Sequence, residues 1–170
     1  RVVVTGNPVR LEIAAIEPLS DPPPRRVLAF GGSRGARALN DAWIGALPLL
    51  SALDVEFVLQ TGPDDLARVN AAAAGYPNVS VLAFIDDMPR RLANSSLVVA
   101  RAGATTVAEL TAAGRPSLLI PFPFAANDHQ RANARALANA AAAVVIEQND
   151  LTPERLAHEV RALLGEPKRL

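Results

Sequence analysis

The sequence of 170 residues contains no cysteine, few aromatic residues and no excess charge of either sign. Without cysteine, disulfide bonds and thiolate metal sites are excluded. Aromatic residues make up 4% of the chain, so the core must be aliphatic. The formal net charge is zero, which gives no field to attract polyanions, and we therefore expect no nucleic-acid partner.

Long apolar runs are lacking as well. The longest candidate, residues 136–146, is interrupted by Asn139 and falls short of the roughly 20 residues that span a bilayer. The chain begins without Met, in residues 1–4 that look like the middle of a strand, so we expect a piece of a longer protein. The length suits one domain with a full core.

Short apolar runs alternate with helical segments after the three prolines at 22–24, which we interpret as a boundary. Strands are predicted at 27–30, 55–59, 79–84, 97–100, 117–120 and 143–146. Helices are predicted at 36–50, 64–74, 105–113 and 127–140, and from Thr152 and Pro153 onwards. Only the connection 85–96 is short, interrupted by proline and without a predicted helix.

This alternation predicts an α/β fold, a Rossmann-like doubly wound parallel sheet of about six strands with helices on both faces. The apolar runs are nearly continuous, as expected for strands buried on both sides. We interpret residues 1–24 as an interdomain segment leading from a missing N-terminal domain, and residues 25–170 as the ligand-binding domain.

The chemistry is expected at the carboxyl ends of the strands, near a switch in strand order. The first strand leads into a Gly-rich turn at 31–37, which contains Gly32, Ser33 and Gly35 and enters a helix. Such a turn lets backbone N–H groups and the helix dipole face a phosphate. The alternative interpretation is a tight turn in which Ser33 only caps the helix.

A second turn of this kind follows the fourth strand. Gly103 precedes a helix start with Thr105 and Thr106, which favours anions, and Glu109 could accept hydrogen bonds from a ribose diol. Alternatively, one threonine caps the helix and Glu109 only stabilises its first turns. Two anion-ready turns in one sheet favour a diphosphate ligand.

Side-chain amides follow the fifth strand. The spacing of Gln130 and Asn133 places both on one helix face, and amides suit sugar hydroxyls and an N-acetyl group. Asn127 or Asp128 is interpreted as an N-cap of that helix.

Other ligand classes are disfavoured. A dinucleotide fingerprint that uses Gly32 and Gly35 would need glycine where Phe30 stands, and the second strand ends at Gln60 instead of a ribose-binding acid. NAD is therefore disfavoured, and no Gly-Lys-Ser/Thr of a P-loop occurs. We interpret the acidic pairs 64–65 and 86–87 as helix caps, not metal ligands, and His158 as a surface residue. No metal or cofactor is predicted.

Six segments, at 4–10, 31–37, 60–62, 84–88, 101–109 and 128–130, closely resemble the MurG family in order and spacing. This family consists of N-acetylglucosaminyltransferases that make peptidoglycan lipid II from lipid I. The resemblance covers only the C-terminal, donor-binding half. It implies a GT-B fold and an inverting transfer of N-acetylglucosamine from UDP-N-acetylglucosamine to undecaprenyl-diphospho-N-acetylmuramoyl-pentapeptide.

The resemblance also implies individual roles. Arg10 and Ser33 match positions that contact the donor diphosphate region. Ile85 matches a position whose backbone binds the uracil. Glu109 matches a residue that binds the ribose, and Gln130 matches an amide that binds the sugar. The positions that match the donor site are Arg10, Ser33, Ile85, Ala104, Thr105, Thr106, Val107, Ala108, Glu109 and Gln130, and the further candidates are Gly32, Gly35, Gly103, His129 and Asn133.

The family's N-terminal half carries the acceptor site, the membrane-facing patch and the residues proposed as general base. We expect no catalytic residue in this chain, which alone should bind the donor weakly and turn over nothing. As part of the full-length enzyme it would work in the cytoplasm, peripherally at the inner face of the bacterial plasma membrane. Lipid I and the membrane would be contacted only through the missing half.

Two alternatives stay open. The chain could be a separate donor subunit, as in the split N-acetylglucosaminyltransferase of the dolichol pathway. It could also be a non-catalytic module that binds nucleotide sugars.

Overall fold

The computed structural model describes residue 3 and the ranges 6–125 and 128–166. The strand-like start predicted at 1–4 lies largely outside these residues, as do Val4 and Thr5 of the family-like segments and the cap candidate Asn127.

One sheet of six parallel strands forms the centre of the fold, in the order β3-β2-β1-β4-β5-β6. The strands are β1 Arg26–Phe30, β2 Glu56–Gln60, β3 Val79–Leu82, β4 Leu97–Ala100, β5 Ser117–Leu119 and β6 Ala143–Val145. Strand order reverses between β1 and β4, where Phe30 is the register partner of Ala100. The predicted Rossmann-like parallel sheet is confirmed.

Helices cover both faces of this sheet. They are α1 Leu11–Ala14, α2 Arg37–Leu50, α3 Leu66–Ala73, α4 Met88–Ala93, α5 Ala104–Ala112, α6 His129–Asn139 and α7 Pro153–Gly165, with 3-10 turns at Pro63–Asp65 and Gln148–Asp150. The start predicted for the last helix is confirmed, because the Thr152 hydroxyl accepts from the Arg155 backbone N–H at 3.1 Å. His158 is exposed on this helix, as predicted.

Alternate residues of each strand enter two cores. Val27 and Ala29 of β1 belong to the core beneath α2 and α7, whereas Leu28 and Phe30 belong to the core beneath α5. Both faces are therefore buried, which explains the continuous apolar runs. Within the described ranges, no helix combines the length and apolarity that a membrane crossing needs.

The segment before β1 packs onto the sheet domain. Ile13 of α1 is fully buried in the same core as Leu28. Arg115 is buried too, and it donates to the carbonyls of Glu17 at 3.0 Å and Leu92 at 2.8 Å. Burial lowers the pKa of Arg115. Residues 10–17 are thus attached to the sheet domain by the buried Ile13 side chain and by a hydrogen bond from Arg115.

The connection 85–96 contains a helix that the sequence analysis missed. Pro89 suggested an interruption, but it lies in the first turn of α4, where proline removes no intrahelical hydrogen bond.

The capping prediction for the acidic pairs is wrong. Asp65 and Asp87 do stand immediately before α3 and α4, but neither side chain bonds a helix N–H. Asp65 binds Arg68, and Asp87 accepts from Arg91 at 3.0 Å, which lowers the pKa of Asp87. An arginine one turn later offers a charge-assisted bond that outcompetes a backbone N–H.

The same correction applies at α6. Asp128 adopts a left-handed backbone with a φ of 55°, and its carboxylate pairs with Arg131 at 2.7 Å instead of capping the helix.

Candidate functional site

Two turns lie side by side at the switch point of the sheet. Parallel strands β1 and β4 are neighbours, so the turn after Phe30 and the turn after Ala100 open at the same edge. Both turns lead directly into helices, α2 and α5, whose N-termini face this edge. Because β1 and β4 are neighbours in the sheet, two turns that are about 70 residues apart in the chain lie next to each other in space.

The first turn is a tight bend from Gly32 to Gly35, closed by a hydrogen bond of 2.8 Å from the Gly35 N–H to the Gly32 carbonyl. Both glycines have positive φ, 92° and 76°, which other residues adopt only with strain. Ala36 holds the N-cap position of α2, and no side chain caps the helix. Ser33 is exposed in the bend, so the interpretation of Ser33 as the helix cap is wrong.

The second turn also leaves a helix start uncapped. Gly103 holds the N-cap position of α5 without a side-chain hydrogen bond, and neither α2 nor α5 has an acidic residue in its first turn. The alternative in which Thr105 or Thr106 caps α5 is therefore wrong. Helix N–H groups that lack both a cap and a nearby carboxylate favour an anionic ligand.

Two cavities meet at these turns, and Gly32 and Thr106 line both of them. The first cavity, of about 650 Å³, is lined by Pro8, Val9, Arg10, Phe30, Gly32, Ser33, Gln60, Phe84, Ile85, Met88, Thr105, Thr106 and Glu109. The second cavity, of about 660 Å³, is lined by Gly31, Gly32, Gly35, Ala36, Arg37, Ala38, Asp41, Arg101, Gly103, Thr106, Phe122, Gln130 and Gln148. A ligand with two ends and an anionic centre fits this arrangement.

The first cavity brings together predicted site residues from four distant segments of the chain, which contribute Arg10, Ser33, Ile85 and the run with Thr105, Thr106 and Glu109. Arg10 pairs with Glu109, with its Nη2 at 3.0 Å and its Nε at 3.1 Å from Glu109 Oε1. Asn7 donates to the Ala104 carbonyl at 3.3 Å, so the segment before α1 runs across the start of α5. Ile85 and Ser33 also line this cavity. Two other predicted site residues, farther along α5, do not line this cavity. Val107 packs against the core, and Ala108 is half-buried.

The second cavity contains a buried cation that the sequence analysis did not single out. Arg101 is 9% exposed, donates to the Ile120 carbonyl at 3.1 Å and to Gln148 Oε1 at 2.5 Å, and lies over the Phe122 ring at 5.5 Å. Burial lowers the pKa of Arg101 to about 10, so the group stays charged at neutral pH. No carboxylate of the described residues pairs with it, which leaves its charge to attract an anion.

The predicted amides of α6 have separate positions. Gln130 lines the second cavity, where its Oε1 accepts from the Phe122 backbone N–H at 3.0 Å, so that its NH₂ group is left to donate to a ligand. Asn133 donates to the Ala102 carbonyl at 3.0 Å and ties α6 to the second turn. His129 is exposed at the start of α6.

Sequence reasoning missed other residues of the cavity walls. Among them are Gln60, Phe84, Met88, Arg101, Phe122 and Gln148. Gln60, Phe84 and Arg101 directly end or follow a predicted strand, and Phe122 is the second residue after one, which is the signal that could have identified these four.

A larger cavity, of about 810 Å³, lies at the opposite, amino-terminal ends of β1 and β2. Its charged residues neutralise one another, since Arg25 pairs with Asp54 and Arg26 with Glu56. It has no helix N-terminus of the kind that faces the other two cavities. Across the described part of the chain, no cluster of His, Asp or Glu is placed to hold a metal ion.

Residues 26–170 match the model of the glycosyltransferase family 28 C-terminal domain. The chain belongs to glycosyltransferase family 28. Among its relatives, a protein from Syntrophotalea carbinolica is 51% identical over 172 residues, which cover 99% of this chain and 48% of the relative. A protein from Solidesulfovibrio magneticus is 49% identical over 176 residues, which cover 97% of this chain and 48% of the relative.

Both relatives are named as UDP-N-acetylglucosamine–N-acetylmuramyl-(pentapeptide) pyrophosphoryl-undecaprenol N-acetylglucosamine transferases. The chain spans about half the length of the curated relatives it matches. The crystal structure of MurG from Acinetobacter baumannii superposes with a TM-score of 0.79 at 34% identity, covering 93% of this chain and 47% of that one. The resemblance to the MurG family is confirmed, and the fold is that of the C-terminal domain of GT-B glycosyltransferases.

Proposed function

We propose that this family 28 chain is the donor-binding half of an enzyme that transfers N-acetylglucosamine from UDP-N-acetylglucosamine to undecaprenyl-diphospho-N-acetylmuramoyl-pentapeptide. The observation that carries the proposal is the pair of uncapped helix N-termini, α2 and α5, which open onto two cavities that share Gly32 and Thr106. The names of the relatives supply the donor and the acceptor.

In this proposal the diphosphate lies where the cavities meet. Backbone N–H groups of the two turns would bind its oxygens, with the helix dipoles adding to the attraction. The nucleoside would occupy the first cavity, with its ribose at Glu109 and its base near Ile85. The sugar would occupy the second cavity, beside Gln130.

These groups support one part of an inverting transfer. As the acceptor hydroxyl attacks the anomeric carbon, the bond to the diphosphate breaks and the leaving UDP gains charge. The helix N-termini and the Arg101 guanidinium would stabilise that charge. The base that deprotonates the acceptor would come from the half of the relatives that this chain does not span.

A lipid-linked acceptor also implies a place of action. The names of the relatives include undecaprenol, so the full-length enzyme would meet its acceptor at a membrane surface. We propose a cytoplasmic enzyme that binds peripherally to the inner face of the bacterial plasma membrane, with membrane contacts supplied by the other half.

Isothermal titration calorimetry tests the binding part of the proposal. The chain should bind UDP-N-acetylglucosamine more tightly than UDP-glucose, because only the former carries the N-acetyl group that an amide such as Gln130 can bind. NAD should give no measurable heat. A preference for NAD over both sugar nucleotides would overturn the proposal.

A transfer assay tests the division of labour. The chain alone should give no product with UDP-N-acetylglucosamine and a lipid I analogue, since it lacks the acceptor site proposed for the other half. Measurable transfer by the chain alone would contradict that part.

A further inference from the structure

Gln60 bridges the ends of three adjacent strands at the first cavity. It ends β2, its register partners are Phe30 of β1 and Leu82 of β3, and it is only 5% exposed. Its Oε1 accepts from the Gly31 backbone N–H at 3.3 Å, and its Nε2 donates to the Ala83 carbonyl at 3.0 Å. A buried amide with both ends bonded to backbone fixes the distance between those backbones.

The two backbones that Gln60 joins have different places in the site. Gly31 opens the turn that leads to Gly32 and Ser33 at the junction of the cavities. Ala83 precedes Phe84 and Ile85, which line the first cavity beside the position proposed for the base. Gln60 therefore connects the anion end of the site to its nucleoside end.

The residues after Gln60 strengthen the same connection. Gly62 N–H donates to the Ala83 carbonyl at 3.2 Å, and Asn40 Nδ2 donates to the Thr61 carbonyl at 3.0 Å. The first turn also packs directly on this loop, since a Cβ on Gly35 would lie 1.8 Å from the Thr61 oxygen. The turn is thus positioned against the end of β2 by contact and by hydrogen bonds.

We propose that Gln60 is a positioning residue, which sets the spacing between the phosphate-facing turn and the nucleoside wall so that one ligand can occupy both. This inference rests on the proposed function. Gln60 would act through Gly31 and Ala83, and its effect would appear only for ligands that carry a nucleoside and a diphosphate together.

The test compares UDP with uridine, by calorimetry or NMR titration, in the wild-type chain and in Gln60→Met. Methionine has a similar length but makes neither hydrogen bond. The ratio of UDP affinity to uridine affinity should fall about tenfold, which corresponds to the loss of one to two hydrogen bonds, while uridine affinity changes less than twofold. An unchanged ratio in a folded variant would overturn the inference.

Two further variants keep the result decisive. Gln60→Glu retains an acceptor for Gly31 but places a carboxylate against the Ala83 carbonyl, so the ratio should again fall at least tenfold, and a wild-type ratio would count against the proposal.

Asn78→Leu is the matched control. Asn78 also donates from a side-chain amide to a carbonyl that adjoins a strand, that of Val55 at 2.9 Å just before β2, but at the opposite end of the sheet. It should lower the melting temperature and leave the ratio unchanged.

Failure of the proposed function would look different. If the wild-type chain binds UDP no more tightly than uridine, the diphosphate site is absent, and the function and the role of Gln60 are both overturned. If wild type prefers UDP and the Gln60 variants keep that preference, only the role of Gln60 is lost.

Discussion

Arg10 and Glu109 are 99 positions apart in the chain, and both contacts of the guanidinium fall on one carboxylate oxygen, Oε1. In the proposed function, Oε2 would accept a hydrogen bond from a ligand hydroxyl. The Glu109 side chain is 12% exposed and the Arg10 side chain 47%, so the carboxylate is mostly shielded from water while its partner is half-exposed. Arg10 thereby orients the group that we propose for the ribose.

Glu109→Ala should weaken UDP binding by about 1.5–3 kcal/mol, because hydrogen bonds to a charged acceptor are lost. Calorimetric titration with UDP measures this. Glu159→Ala is the matched control, because Glu159 is also 12% exposed and also paired with an arginine, Arg155 at 2.9 Å, but on α7. Equal losses of UDP affinity in both variants would rule out a specific role of Glu109.

Gly35→Ala should lower the free energy of unfolding by about 2–4 kcal/mol, because the residue has positive φ and its Cβ would collide with the Thr61 carbonyl. Chemical denaturation measures the change. Gly75→Ala is the control, since nothing lies within 4 Å of a Cβ at that position, and its effect should stay within about 0.5 kcal/mol. A tolerated Gly35→Ala would mean that the contact between the two loops is not needed.

Arg101→Met should weaken binding of UDP-N-acetylglucosamine about tenfold, because it removes the only cation of the second cavity that is buried. It should also reduce stability, since the Ile120 carbonyl loses its partner. Arg115→Met separates the two effects. Arg115 is likewise buried and bonded to carbonyls but lines neither cavity, so only stability should fall. Loss of affinity in Arg115→Met would show that the ligand effect is indirect.

Asp65 should make stability depend on pH in the acidic range. Hydrogen bonds from Arg68, with further bonding from Asn40, lower its pKa to about 2 against an opposing effect of burial. Since the folded pKa lies below the unfolded one, the stabilisation is complete above about pH 5 and is lost as the pH falls towards 2. Denaturation from pH 7 to pH 2 should show this loss.

Asp65→Asn should lower the free energy of unfolding by about 2 kcal/mol at pH 7. It should also flatten the dependence of that free energy on pH in the acidic range. Asp64→Asn, at the exposed neighbour, should leave the profile as in wild type. A profile that is identical in wild type and Asp65→Asn would contradict the assignment.

The sheet and its two glycine turns could be predicted, because they depend on local patterns that repeat along the chain. Apolar runs mark strands, and glycines after Phe30 and Ala100 mark turns. The pairing of Arg10 with Glu109 could not be predicted from periodicity, since it depends on how the segment before β1 crosses α5. The acidic caps failed for a related reason, because Arg68 and Arg91 competed with the backbone for the same carboxylates.

Arg101 shows the remaining limit. It directly follows a strand, as several predicted site residues do, but only the structure shows that its side chain is buried and that no carboxylate among the described residues pairs with it. The burial of a side chain and its ion-pair partners depend on how the chain packs, and they cannot be predicted from composition.

The anchoring of residues 10–17 bears on how such domains can be exchanged between enzymes. The match to the family domain begins at residue 26, yet Arg10 forms part of the wall of the first cavity and Ile13 part of the core. A chimera joined at the prolines would inherit the sheet with a gap in its wall and an unfilled hole under α4 and α5. The transferable unit therefore starts upstream of the first strand, and a hybrid glycosyltransferase should take this stretch from the same parent as its donor site.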